Sequence, residues 1–162
     1  DAHYTCIEAG PKHKSKLEKI TDDYHIAVLG DSNREVKMYL REIQKGSRKK
    51  VTYTKGSTLF GIFKDYEIRN MQTLDEIVGK DAKYDLIKQD VQGAEIMVMQ
   101  GSPDIFRRAK YVIQEVNLDK DDDFPDMPCE LEMDDYMNEL GFDNNLIIDR
   151  KDNAGQVDKI YF

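Results

Sequence analysis

Tyr84-Asp85-Leu86-Ile87-Lys88-Gln89-Asp90-Val91-Gln92-Gly93-Ala94-Glu95 is the stretch on which the fold turns. Tyr84 to Gln89 reads as a short buried strand, and it runs directly into an acid and a glycine turn. From Glu95 an apolar helix continues to Gly101. A strand passing through a turn into a helix is the repeating unit of α/β folds, and ligands there sit beyond the carboxyl ends of the strands. Asp90 at the strand end and Glu95 in the first helical turn are therefore candidates for chemistry. Two carboxylates at such a mouth can orient a hydroxyl, take its proton, or hold a divalent cation through oxygen. They are also accounted for as a helix cap and a partner of the helix dipole.

The same logic extends outward. Downstream, Ser102-Pro103 starts a short helix, since proline favours the first helical position. Tyr111 to Val116 is a further strand, whose end carries Glu115 and Asn117 toward the same cleft. Met133, Tyr136, Met137 and Leu140 recur at helical spacing before Gly141, a usual helix stop. Asn145 to Asp149 and Val157 to Phe162 are two closing strands around an Asp152-Asn153-Ala154-Gly155 turn. Upstream, Tyr4 to Glu8 is a strand broken by Gly10-Pro11, and a Lys-rich helix with Leu17 and Ile20 on one face follows. Glu8 at that strand end can accept both hydroxyls of a ribose or cap the helix. Tyr24 to Leu29 is a buried strand closed by Gly30-Asp31-Ser32-Asn33, and Val36, Met38 and Leu40 mark a half-exposed one. Asp31 can approach an adenine amino group or serve the turn alone. Thr73 to Glu76 has the spacing of a capping box.

Together these elements predict an α/β fold: a mainly parallel sheet with helices on both faces and an antiparallel strand pair at its C-terminal edge. Residues 41–61, rich in Lys, Arg, Gly, Ser and Thr without periodicity, read as a mobile loop or insertion, and such loops are often functional. Ser57 in that loop and Asn117 are the acceptor-side candidates. Gly56 and Gly61 have P-loop spacing, but Ile62 stands where the lysine belongs.

With 162 residues, 40% hydrophobic and 35% charged, the chain reads as a single globular domain over 1–162. No apolar run approaches the roughly 18 residues of a membrane helix, and Asp1-Ala2-His3 does not open a signal peptide, so a cytoplasmic protein without membrane contact is expected. The net charge of -8 is uneven, with a basic first third and an acidic remainder. That balance argues against a nucleic-acid platform. Cys6 and Cys129 are far apart and outside any CxxC pattern, and His3, His13 and His25 have no partner spacing, so no metal site is assigned. The run Asp119 to Asp123 reads as a solvated loop that can assist a divalent cation, without a motif to support one.

The quoted stretch resembles the signature of FkbM-type methyltransferases, a strand of the form D-x-I-K-x-D leading into Q/E-G-A/S-E. Cys6-Ile7-Glu8-Ala9-Gly10-Pro11 is similar to that family's F-E-P strand end, and Thr73-Leu74-Asp75 to its T-L-D element. Tyr111 to Val116 is similar to its I-x-x-E-V strand, while Leu140-Gly141-Phe142 and Val157 to Phe162 resemble its close. The resemblance implies a Rossmann-like class I methyltransferase sheet, S-adenosylmethionine as cofactor, and a hydroxyl of a sugar, glycan or natural product as acceptor. It implies a role at the ribose for Glu8, a place near the adenine for Asp31, and cleft positions for Asp90, Glu95 and Glu115, with Asp90 also beside the cofactor. It leaves room for a homo-oligomer. The family's opening D-x-G-A-N-x-G loop has no counterpart in the chain, in which no G-x-G occurs either. The expectation is therefore an N-terminally incomplete domain, with one strand and helix of roughly 30 residues preceding it. A catalytically silent binding or interaction module competes with this reading. So does an unrelated flavodoxin-like domain with Asp31 and Asp90 about a metal.

Overall fold

A computed structural model of the chain describes residues 2–39, 42–45, 48–51, 59–60, 65–119, 127–151 and 155–162. Ser57, most of the 41–61 stretch and the acidic run beyond Asp119 lie outside them. The quoted stretch folds into β8 (Leu86–Gln89) and α3 (Glu95–Gly101). β8 pairs in parallel with β9 (Tyr111–Asn117), which pairs antiparallel with β11 (Gln156–Tyr161), and β11 pairs antiparallel with β10 (Asn145–Lys151). The antiparallel C-terminal pair is as expected. Strand direction within the pairs follows from the connections: α3 and α4 (Pro103–Arg107) return the chain for a parallel crossover, whereas the few residues between β10 and β11 are too few for one and leave only an antiparallel pair.

The earlier part of the chain forms a second half-sheet. β1 (Cys6–Glu8) pairs in parallel with β2 (Tyr24–Ile26), and β3 (Val28–Leu29) continues β2 past Ala27 to pair in parallel with β7 (Tyr66–Gln72). β4 (Arg34–Tyr39) lies antiparallel on the far side of β7. β7 lies in a stretch without a local strand signal, and Tyr24 to Leu29, expected as one strand, is divided by the ladder between two neighbours. Within 41–61, β5 (Glu42–Lys45) and β6 (Arg48–Val51) pair as an antiparallel hairpin.

Two features depart from the expected mainly parallel sheet. First, the described residues make four small sheets with three parallel and four antiparallel pairings, so the architecture is mixed α/β. The reason is that β1 and β8 do not pair with each other. Cys6 donates its amide to Asp23 O, and Glu8 O accepts from Ala27, so Ile7 turns its backbone groups away from β2. Tyr111 donates to Asp85 O, which turns Leu86 and Lys88 away from β9 in the same manner. The Tyr84 hydroxyl reaches Thr5 Oγ1 at 3.2 Å and links the starts of the two unpaired edges. Second, among the described residues helices cover only one face of the four-stranded sheet. Val112, Val116, Val157 and Tyr161 are buried under Leu74, Val98, Phe106, Met133, Met137 and Leu140, which come from α2 (Leu74–Val78), α3, α4 and α5 (Glu130–Leu140). On the opposite face Leu86, Tyr111 and Leu146 are about half exposed, at 50%, 45% and 60%.

The Lys-rich segment gives only a single turn of 3-10 helix at Pro11–His13 and the four-residue α1 (Lys14–Leu17). The capping box at Thr73 does not form. The Thr73 hydroxyl bonds the Asp75 carboxylate, and Ser102 Oγ accepts the Asp75 amide at 2.9 Å, so a residue 27 positions away caps α2. No helix among the described residues is long and apolar enough to cross a membrane.

Candidate functional site

The chain leaves β8 through two consecutive residues in left-handed backbone, Gln92 at φ 56° and Gly93 at φ 98°. Glycine takes such a conformation at little cost, and here it is required twice over. A Cβ on Gly93 would stand 2.5 Å from Met127 Cγ. This turn aims the amides of Val91 and Gly93 at one carboxylate: Glu95 Oε1 accepts from them at 3.1 and 3.3 Å. Glu95 is only 3% exposed. Burial pushes its carboxyl above the ordinary value, the amides of Glu95, Gly93 and Val91 oppose that shift, and the nearby Asp90 charge reinforces it.

A sign follows for stability against pH. A carboxyl whose folded value is raised favours the folded state fully below its unfolded value, near 4.5, and that stability is lost as pH rises through the folded value. Urea unfolding over a pH series is expected to show this loss starting above 4.5, on the order of 1.4 kcal/mol for each pH unit separating the folded and unfolded values. In Glu95→Gln that component should vanish, and an unchanged profile would contradict the assignment to Glu95.

Asp90, exposed at the end of β8, accepts from Gln92 Nε2 at 2.7 Å. The same nitrogen reaches Glu115 Oε2 at 3.3 Å. Glu115 and Asn117 lie on one face of β9, and Gln156 Nε2 donates to Asn117 Oδ1 at 2.9 Å from the neighbouring strand. Gln92, Gly93, Glu95, Glu115, Asn117, Met127 and Gln156 enclose a recess of about 30 Å³. That is room for a water or two. This recess is far smaller than a nucleoside-sized pocket, which takes about 300 Å³ or more.

Asp90, Glu95, Glu115 and Asn117 are thus brought together. Asp31 is not among them: it pairs with Arg34, and its Cα would lie 3.0 Å from a Cβ on Gly101, at the far end of α3. Glu8 stands at the end of β1, on the other half-sheet, with its Oε1 accepting the Gly10 amide at 2.7 Å. Among the described residues no three His, Cys, Asp or Glu side chains gather as a metal site. Gln92, Met127 and Gln156 were not singled out by sequence reasoning. Gln92 lay inside the quoted stretch, and its place between two strand-end acids was the available signal. Met127 and Gln156 reach the recess through long-range pairing, for which neighbouring residues carry no sign.

A family model described as the methyltransferase FkbM domain matches residues 2–143 of the chain. No curated protein and no solved structure matches it.

Proposed function

Because the chain belongs to the FkbM methyltransferase family, we propose that it transfers the methyl group of S-adenosylmethionine to a hydroxyl oxygen, in a sugar, glycan or other natural product. The family match over residues 2–143 carries this reading. The fold lends chemistry to it at two places. Glu8 offers a carboxylate at a strand end, with Oε2 directed to no partner among the described bonds, an acceptor suited to the two hydroxyls of a ribose. Asp90 and Glu115 offer two further carboxylates at neighbouring strand ends.

The cofactor, when bound, supplies a methyl group on a sulfonium ready for in-line displacement. The part played by the protein is placement. Asn117 and Gln156 present an amide pair that can hold an acceptor hydroxyl at the recess, and the Glu115 carboxylate beside them can take its proton. Glu95, enclosed and held by backbone amides, shapes the turn instead of meeting the acceptor. A Rossmann-like sheet is part of the reading, with β1 and β8 standing on either side of its centre.

Calorimetric titration of S-adenosylhomocysteine into the chain tests the proposal. Binding is expected, with a Kd weakened about tenfold or more in Glu8→Ala, the worth of hydrogen bonds to a charged acceptor. Absence of binding at millimolar ligand, both by the chain and by a form extended upstream with the D-x-G-A-N-x-G strand and loop, transfers the assignment to a silent binding module.

A further inference from the structure

We propose that Gln92 is a positioning residue, which spans the Asp90 and Glu115 carboxylates with one amide nitrogen and fixes their separation at the mouth of the recess. The inference rests on the methyltransferase reading only for what the two carboxylates then do.

Its first ground is geometric. Asp90 and Glu115 come from the ends of two adjacent parallel strands, and like charges so placed repel. Gln92 Nε2 carries two hydrogens, and acceptors stand at 2.7 Å on Asp90 and 3.3 Å on Glu115. A lysine or arginine would hold the two acids by neutralising them. The amide is neutral, so the tie it makes does not itself cancel the charge of either acid.

Its second ground is the backbone. Gln92 sits at φ 56°, where a residue with a Cβ is disfavoured and glycine is at ease. Glutamine is not one of the residues that enter this region readily. An outlier of this kind at the lip of a polar recess points to a side chain retained for what it contacts. A merely structural turn would be improved by glycine.

That contrast supplies the test. In nitrogen-15 spectra the side-chain amide signals of Gln92 are expected to move in both Asp90→Asn and Glu115→Gln; signals that stay in place in either variant overturn the proposal. In Gln92→Gly the melting temperature is expected to hold or rise, while the Kd for S-adenosylhomocysteine weakens about tenfold. A melting temperature lowered by several degrees would make Gln92 a structural tie, and an unchanged Kd would remove its positioning role; either overturns the inference. Should S-adenosylhomocysteine bind neither the unaltered chain nor its upstream-extended form, the functional reading fails by itself, and the amide signals still decide whether Gln92 joins the two acids.

Discussion

Asp134→Ala is expected to destabilise the chain by about 3–5 kcal/mol, a fall in melting temperature on the order of 10 °C. The reason lies where α5 crosses β11. Lys159 is 2% exposed on the covered face of the sheet, and its ammonium meets Glu130 Oε1 at 2.8 Å and both Asp134 oxygens at 2.7 and 2.8 Å. Tyr161, two residues on and also buried, donates its hydroxyl to Asp134 Oδ1 at 2.7 Å. Burial and the Asp134 carboxylate hold that hydroxyl protonated well above its ordinary range. Truncating Asp134 leaves an enclosed ammonium with one partner in place of two, and a buried hydroxyl without its acceptor. Asp134→Asn keeps an acceptor for Tyr161 and should cost less, about 1–2 kcal/mol. Combining Lys159→Met with Asp134→Leu should recover part of the loss, since the buried ammonium leaves with one of its two partners, while Glu130 loses its cation and Tyr161 still lacks its acceptor. Chemical denaturation of the three variants measures these differences. A loss under about 1 kcal/mol for Asp134→Ala would mean that water reaches the ammonium and replaces the carboxylate. The network also bears on the candidate site. It pins the first turn of α5, whose Cys129 forms a bridge with Asn117, and so fixes the chain that carries Met127 over Gly93.

Local signals made the region around the site legible. Helix α3 runs from Glu95 to Gly101 as read, because the apolar run and the glycines that bound it are adjacent in sequence. The helix with Met133 and Met137 ends at Gly141, which takes the left-handed φ of 100° that glycine permits. What escaped depends on partners distant in sequence. β7 offers Ile68 and Met71 in a mostly polar stretch, and it is a strand because β3 and β4 flank it. Ser102 reads as a cap for its own helix, yet its hydroxyl serves α2, brought close by tertiary packing. Lys159 on a closing strand looks like an outward lysine. Only the register of β11 against β9, with Lys159 opposite Gln114, places it on the face that α5 covers. The acids at strand ends were found by the general rule for α/β sheets, but that rule assumes one continuous sheet. It gathers Asp90 and Glu115, which share a ladder, and it does not gather Asp31, which belongs to the other half.

Gly101→Ala tests that division, with an expected cost of about 3 kcal/mol, at the upper end for forcing atoms into a filled space. An added Cβ would lie 2.2 Å from the carbonyl oxygen of Gly30, 3.1 Å from its carbon and 3.0 Å from Asp31 Cα. These are backbone atoms just past β3, and a rotamer change cannot relieve them. The end of α3 must therefore withdraw from the first half-sheet, or that half-sheet must shift. Gly79→Ala is the matched control: nothing lies within 4 Å of its Cβ, but its φ of 90° with ψ 142° is unfavourable, so it should lose about 1–3 kcal/mol from backbone strain alone. The distribution of the loss matters as much as its size. Val28, Met38 and Met71 form a cluster of their own, with Met97 of α3 packed against it, whereas the main core lies under the four-stranded sheet. Amide hydrogen exchange in Gly101→Ala is expected to accelerate in β3, β4 and β7 more than in β9 and β11. Uniform acceleration would show that the halves unfold as one unit. An unchanged melting temperature would show that α3 and Gly30 are not in contact in solution, and Asp31 would then be free to approach the acids at the other end of the helix.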